Sequence, residues 1–188
     1  MKYVLAALRE ELPGRELDPS EYKVWYTGVG KINATIFATL ACIQSDCDMV
    51  INYGTAGTLK PDLKGRMIQV GTVRQRDMDC RPKAELGVTP LEEGALAGDI
   101  VLEDHLEFIC SSGDQFVHST PELESDIVDM ESYAIAKVCS HFKKKMFCFK
   151  YITDFANENG LEDWEKNHAK GADAFRGTLT ALKKGNIL

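Results

Sequence analysis

The chain has 188 residues, a formal net charge of −7 and 44% hydrophobic residues, a composition typical of one globular domain. The acidic balance, without a stripe of lysine and arginine, argues against a nucleic-acid surface. No apolar stretch is long enough to span a membrane. The apolar segment 1–8 runs directly into charged residues and does not resemble a signal peptide. We therefore expect a single cytoplasmic domain that covers residues 1–188.

The cysteines and histidines form no recognisable metal-binding or disulfide pattern. No two cysteines form a CxxC motif, and several lie inside apolar runs, so buried cytosolic thiols are a better interpretation than disulfides or a zinc site. The four histidines are scattered along the chain, and we expect no metal site. The six cysteines are Cys42, Cys47, Cys80, Cys110, Cys139 and Cys148.

The first part of the chain predicts strands that end in acidic or small residues. Glu11 follows the first strand, Gly28-Val29-Gly30 the second, and the small residues 54–59 the third. Glycine turns at strand ends expose backbone N–H groups to a ligand, but position 33 is Asn, so the dinucleotide fingerprint is incomplete. The ends of these three strands together indicate one pocket, although each strand end alone also fits an ordinary strand–loop junction. The predicted strands are 2–8, 22–27 and 49–53, and a helix is predicted at 31–42.

The rest of the chain continues the alternation of strands and helices. The segment 80–98 is rich in proline and glycine and predicts a long loop, with a small hairpin as an option. The segment 99–102 fits either a short strand or a loop. Together these patterns predict an α/β fold. The remaining predicted elements are strands at 64–73, 107–112 and 146–153, an extended run at 125–128 that leads into a helix, and a C-terminal helix at 164–184.

The segment 128–136 is the most informative stretch, because it passes from a strand into a helix. Asp129 suits an N-cap or first-turn position, where its carboxylate accepts backbone N–H groups. Met130 and Glu131 fall at the carboxyl end of a strand, where open α/β sheets bind ligands. An apolar side chain beside a two-oxygen acceptor suits a sugar diol. An ordinary first-turn helix acid is the alternative interpretation.

Six short motifs then occur in the order typical of one family. The chain resembles the nucleoside phosphorylase and nucleosidase superfamily, and within it the bacterial 5′-methylthioadenosine/S-adenosylhomocysteine nucleosidases. The resemblance implies a central mixed sheet flanked by helices, a small-molecule nucleoside substrate, a homodimer, and no metal or organic cofactor. The motifs are Glu-Glu-Leu, Thr-Gly-Val-Gly-Lys, Asn-Tyr-Gly-Thr-Ala-Gly-Thr-Leu, Ser-Gly-Asp-Gln-Phe-Val, Val-Asp-Met-Glu-Ser-Tyr-Ala-Ile-Ala and Ile-Thr-Asp.

The resemblance also implies catalytic roles. Glu11 matches the acid that activates the attacking water, and Asp154 matches the acid that protonates or hydrogen-bonds N7 of the purine. Thr55 stands where the family usually has Ser near that water, and Lys150 stands where it commonly has Arg. Cleavage leaves negative charge on the departing purine, so an acid at N7 requires that the pKa of Asp154 rise above about 3.9. As an alternative, Asp154 could cap a short helix that starts at Phe155.

Further matches concern substrate binding. Phe116 matches the aromatic residue that stacks on the base, and the backbone of Val117 matches the group that bonds the base edge. Met130 matches a contact to the ribose, and Glu131 matches the acceptor of its 2′- and 3′-hydroxyls. Asp129 stands where Glu is usual before this Met, so its carboxylate reaches one methylene less.

Two questions stay open at this stage. The chain is shorter than typical family members between Asp79 and Phe108, and this region carries part of the pocket for the 5′ substituent, so the 5′ specificity is open. An acid at Glu11 would repel phosphate and favours hydrolysis, whereas Arg9 or Arg76 could bind phosphate. The alternatives are phosphorolysis, a nucleosidase for another nucleoside or nucleotide, and a non-catalytic nucleoside-binding module.

Overall fold

The computed structural model describes residues 1–13, 17–185 and 187, and the nine strands found there form one mixed sheet. The predicted α/β architecture with a central mixed sheet is therefore confirmed. The strands are β1 Lys2–Ala6, β2 Tyr22–Tyr26, β3 Met49–Thr58, β4 Met67–Gln69, β5 Thr72–Gln75, β6 Ile100–Val101, β7 Ile109–Ser112, β8 Ile127–Asp129 and β9 Lys145–Phe155.

The long strand β3 is the branch point of the sheet. Its first half pairs in parallel with β1, and β1 pairs in parallel with β2 on its other edge. The last two residues of β3 pair antiparallel with β8. Its other edge pairs in parallel with β9 along its whole length, and β4 is antiparallel to β9. Beyond β8, the strands β7 and β5 follow in parallel, and β6 closes the edge antiparallel to β5. The branch brings the ends of β1, β3, β8 and β9 together.

Helices cover both faces of the sheet because successive strand side chains point to opposite faces. Tyr3 and Leu5 of β1 belong to the core under helices α1 and α2, whereas Val4 and Ala6 belong to the core under α4. The prediction of flanking helices is confirmed. The helices are α1 Lys31–Cys42, α2 Ser132–His141, α3 Gly160–Asn167 and α4 Gly171–Lys184, with short 3-10 turns at Gly94–Leu96 and His168–Lys170.

Two predictions about the elements were wrong, and one alternative interpretation is excluded. The strand predicted at 49–53 continues to Thr58, because the small residues 54–58 pair with β9 and do not form a turn. The strand predicted at 64–73 is two strands that pair with different neighbours, and a Cβ on Gly71 between them would lie 2.2 Å from the carbonyl oxygen of Leu106. Asp154 does not cap a helix at Phe155, because it lies within β9 and the next helix begins at Gly160.

Several other features agree with the sequence. The helix predicted at 31–42 has these bounds in the structure. All six cysteines are free, and five of them are buried. The C-terminal helical pattern is divided into α3 and α4 by the 3-10 turn, and the segment 80–98 is loop apart from its 3-10 turn. Among the described residues, no helix has the length and apolar character needed to cross a membrane.

Candidate active site

A cavity of about 200 Å³ lies where the ends of β1, β3, β8 and β9 meet. The segment that follows β7 closes one side of it, and α3 closes another. Of the nine residues predicted for the site, only Lys150 does not line the cavity. The other eight are Glu11, Thr55, Phe116, Val117, Asp129, Met130, Glu131 and Asp154.

Glu11 is buried and held by three hydrogen bonds. The Leu8 N–H donates to its Oε2 at 3.0 Å, and the Thr55 N–H donates to its Oε1 at 3.0 Å. The Thr55 hydroxyl donates to the same Oε1 at 2.6 Å. The turn after β1 and the middle of β3 thus fix this carboxylate at the cavity wall.

Lys150 lies behind the cavity in a buried ion pair. Its Nζ is 2.7 Å from Asp129 Oδ2, and both side chains are 1% exposed. Burial by itself would lower the pKa of Lys150, but the Asp129 charge outweighs burial and raises it. A Cβ on Gly54 would lie 3.4 Å from Nζ and 3.8 Å from Glu11 Oε1. Gly54 therefore lies beside both the ammonium group and Glu11, and its missing side chain leaves both groups their room.

Asp129 ends β8 and organises the start of α2. The Ser132 N–H donates to its Oδ2 at 2.8 Å, and the hydroxyls of Ser112 and Ser132 donate to its Oδ1 at 2.6 and 2.9 Å. Burial would raise the pKa of Asp129, but Lys150 and these donors outweigh burial and lower it to about 2. The predicted role as an acceptor of first-turn N–H groups is confirmed, although Asp129 itself is the last strand residue.

Glu131 faces the cavity beside this ionised group. The Gly30 N–H donates to its Oε1 at 2.8 Å, and Gly30 has φ 94°, a conformation that favours glycine. Burial and the Asp129 charge raise the pKa of Glu131 to about 8. The neighbouring carboxyls therefore differ in protonation at neutral pH. A protonated Glu131 can donate to one hydroxyl oxygen and accept from another.

The raised pKa of Glu131 predicts that the folded protein loses stability as the pH rises. Its folded-state pKa of about 8 exceeds the ordinary value of 4.5, so its contribution is complete below pH 4.5 and is lost as the pH rises through 8. We expect the free energy of unfolding of the wild type to fall between pH 5 and 9 by about 2–4 kcal/mol more than that of Glu131→Gln. Urea unfolding measures this difference. Exposed Glu158→Gln is the control, and equal slopes for Glu131→Gln and the wild type would contradict the prediction.

Asp154 reaches the cavity because of a β-bulge in β9. Ala56 pairs with Ile152 but Gly57 pairs with Asp154, so Thr153 is the extra residue, and bulges re-aim the side chains beside them. A Cβ on Gly57 would lie 2.7 Å from Asp154 Oδ1, so glycine leaves the room that this carboxyl needs. Burial raises the pKa of Asp154, and the hydrogen bond from the Thr153 hydroxyl only partly opposes that rise. The structure thus places a buried acid at the cavity wall.

The segment after β7 brings Phe116 and Val117 to the cavity wall. Both are half-buried, as is Met130. Phe116 lies near the start of α3, where a Cβ on Gly160 would be 3.1 Å from its Cε1. The same Cβ would lie 3.1 Å from Asp154 Oδ1, so the aromatic side chain lies beside this carboxyl group in the cavity wall.

Sequence reasoning named Arg76 only as a possible phosphate ligand, and it missed several other lining residues. Arg76 donates to the backbone carbonyls of Ser111, Asp129, Gly113 and Gln115, and so ties β8 to the segment that carries Phe116. No local pattern marks this role, because the acceptors are main-chain atoms. The one sequence feature that agrees with this role is glycine at position 113, because a Cβ there would approach the Arg76 guanidinium. The other missed lining residues are Ala7, Leu8, Val29, Ala56, Gly57, Gln115, Val128, Ala156, Leu161 and Trp164.

Comparisons with known proteins agree with this geometry. A model of the phosphorylase superfamily matches residues 21–184. The chain belongs to the phosphorylase superfamily. An aminodeoxyfutalosine nucleosidase of Helicobacter pylori is 31% identical over 173 residues, which cover 81% of this chain and 75% of that relative. A 5′-methylthioadenosine/S-adenosylhomocysteine nucleosidase of Bacillus subtilis is 30% identical over 166 residues, which cover 76% of this chain and 72% of the relative.

Solved structures of a nucleosidase and of a futalosine hydrolase share the fold. The native structure of the futalosine hydrolase of Helicobacter pylori superposes with a TM-score of 0.84 at 23% identity and covers 98% of this chain and 97% of that one. A 5′-methylthioadenosine/S-adenosylhomocysteine nucleosidase from the same species, in complex with butyl-thio-DADMe-Immucillin-A, superposes with a TM-score of 0.83 at 23% identity, with the same coverage. This chain therefore shares the overall fold of these proteins.

Proposed function

We propose that the protein hydrolyses the N-glycosidic bond of a purine nucleoside, 5′-methylthioadenosine, S-adenosylhomocysteine or a related adenine nucleoside, and releases the base. One observation carries this proposal: Glu11, Glu131 and Asp154 are buried around a single cavity whose other walls are largely apolar. Such a site suits a neutral ligand on which positive charge develops during reaction. The relatives are named as nucleosidases of this kind.

Each carboxyl group then has one part in the reaction. Glu11 takes a proton from water as the water oxygen bonds to C1′ of the sugar. The bond from C1′ to the purine nitrogen breaks, and its electron pair leaves with the base. Asp154 gives its proton to N7 of the base, and Glu131 hydrogen-bonds the 2′- and 3′-hydroxyls. Phe116 supplies a stacking surface for the base, Val117 a backbone contact to its edge and Met130 a contact to the ribose.

The two arginines that could have supported phosphorolysis are poorly suited to phosphate. Arg76 is the one cationic side chain among the described residues that line the cavity, and its guanidinium already donates to four backbone carbonyls. Arg9 is exposed and lies over the Tyr26 ring at 4.4 Å. The Glu11 carboxylate, as the proposed base, would repel phosphate. Hydrolysis is therefore favoured over phosphorolysis, and the same argument disfavours a 5′-phosphorylated substrate.

Base release from purified nucleosides tests the proposal. The panel is 5′-methylthioadenosine, S-adenosylhomocysteine, 5′-deoxyadenosine, adenosine, inosine and AMP, each with and without phosphate. We expect adenine release without phosphate, faster for an uncharged 5′ group than for AMP. Release that requires phosphate would make the protein a phosphorylase, and binding of a nucleoside without release would make it a binding module.

We also propose that the protein is a homodimer. Helix α1 exposes an apolar row, and such a patch on a small protein is typical of an interface. Light scattering that gives the mass of one 20.9 kDa chain would exclude the dimer. The exposed row is Ile32, Ile36 and Leu40, continued by Ile43 directly after the helix.

Two further expectations from the sequence stay predictions. A cytoplasmic location is supported by the six free cysteines, since thiols persist in reducing compartments, and cell fractionation tests it. A single domain over 1–188 is supported by the one sheet that holds all nine described strands. A single unfolding transition would agree with one domain, and two separate transitions would not.

A further inference from the structure

We propose that Trp164 is a positioning residue for Glu11 and that it acts through the hydroxyl of Thr55. This inference rests on the proposed function, in which Glu11 activates water. Trp164 lies on α3 and lines the cavity. Its Nε1 donates to Thr55 Oγ1 at 2.9 Å, and that hydroxyl donates to Glu11 Oε1 at 2.6 Å.

The chemistry of the three groups fixes the direction of both hydrogen bonds. The indole N–H is only a donor, and Glu11, as the proposed base, is a carboxylate, which only accepts. The Thr55 hydroxyl has a single proton, and it accepts from Trp164, so this proton points to Glu11. Consecutive hydrogen bonds of this kind strengthen one another at a site shielded from water. Trp164 therefore sets the rotation of the hydroxyl that holds the carboxylate.

The indole is itself held in place by contacts of α3. Asn167 Nδ2 donates to the carbonyl of Thr153 at 3.1 Å, next to Asp154. Lys64 Nζ lies 2.6 Å from Asp163 Oδ2, and the His168 ring stacks on Trp164 with centroids 4.8 Å apart. Helix α3 is thus tied to β9 at the residue beside the proposed acid. The indole N–H is presented from a fixed element.

Without the indole N–H, the Thr55 hydroxyl is free to rotate and to donate to water. Glu11 then keeps its two backbone donors but loses the donor closest to its Oε1. The carboxylate becomes less well oriented toward the attacking water, whereas the contacts proposed for base and sugar are unchanged. The expected effect falls on kcat and not on KM.

Trp164→Phe keeps the ring and removes only the N–H. We expect it to lower kcat for base release by about 5- to 20-fold with KM changed less than about 3-fold, the effect of one lost hydrogen bond to a charged group. Trp25→Phe is the matched control, because Trp25 lies on β2 between Tyr3 and Phe37, away from the cavity. A Trp164→Phe variant that behaves like Trp25→Phe would overturn the proposal.

A double-mutant cycle separates positioning from general packing. In a Thr55→Val background, the hydroxyl is absent, so Trp164→Phe should lower kcat by less than about 2-fold further. In a Thr55→Ser background, the hydroxyl is retained, and the full effect of Trp164→Phe should return. Equal losses in all three backgrounds would mean that Trp164 acts only by packing.

A spectroscopic measurement keeps the inference distinct from the proposed function. In Trp25→Phe, Trp164 is the sole tryptophan, because the chain has two. We expect its indole N–H proton resonance to move upfield when Thr55→Val is added. With Thr55 intact, Glu11→Gln should also move the resonance, because the two hydrogen bonds are consecutive. An unmoved resonance would overturn the relay even in an active enzyme. A moved resonance in a protein that releases no base would contradict only the proposed function.

Discussion

Asp154→Asn should lower base release by about 10²- to 10⁴-fold, the usual contribution of a general acid. Asparagine preserves the shape of the side chain but has no acidic proton to give to N7. The side chain is buried, burial raises the pKa of Asp154, and Gly57 leaves room for its Oδ1. We therefore expect the loss in kcat, with nucleoside binding largely retained. Steady-state kinetics and calorimetric binding measure the two quantities separately.

The control for this variant is Asp104→Asn, whose side chain is 96% exposed. It changes the same chemical group at a site without contact to the cavity, and we expect wild-type kinetics. If Asp154→Asn keeps near-normal turnover, Asp154 is not the acid, and the leaving base must be protonated by another group.

Lys150→Met should destabilise the protein by about 3–5 kcal/mol, because it leaves Asp129 as a buried charge without its partner. The methionine preserves much of the apolar stem but cannot neutralise Asp129. The Ser112 and Ser132 donors to Asp129 remain, yet none of them carries a charge. Urea unfolding measures the free-energy change.

Lys166→Met is the matched control, because Lys166 pairs with Glu162 on the surface of α3, with side-chain exposures of 64% and 68%. An exposed pair of this kind contributes about 0–1 kcal/mol. Adding Asp129→Leu to Lys150→Met should recover part of the lost stability, since no buried charge is then left without a partner. Equal unfolding free energies for Lys150→Met and Lys166→Met would contradict the ion pair as the cause.

The sequence predicted the elements that are specified by a local pattern of residues. The helix 31–42 follows a glycine turn and is well defined. The strand β3 was predicted too short, because Gly-Thr-Ala-Gly-Thr has the composition of a turn. Only the pairing of β3 with β9, about one hundred residues later, makes it a strand. Strand ends that pair over such distances leave no local pattern.

In the candidate site, too, local features could be predicted and contacts between distant residues could not. The positions of Glu11, Glu131 and Asp154 at strand ends could be predicted, because strand ends meet at one edge of a sheet. The contact between Asp129 and Lys150 could not. Both residues differ from those usual at these positions in the family that the chain resembles. In the structure, Lys150 Nζ lies 2.7 Å from Asp129 Oδ2, so the two form an ion pair. Trp164 has no signal in the sequence, because its partner Thr55 lies on another element.

The source of the oxygen on the released sugar tests the central claim most directly. The enzyme would be incubated with 5′-methylthioadenosine in ¹⁸O-labelled water that contains phosphate, and the sugar product would be analysed by mass spectrometry. Hydrolysis by water activated at Glu11 predicts a free sugar that carries one ¹⁸O atom at C1′, with equal adenine release when phosphate is omitted. A sugar 1-phosphate without the label, formed only when phosphate is present, would contradict the account.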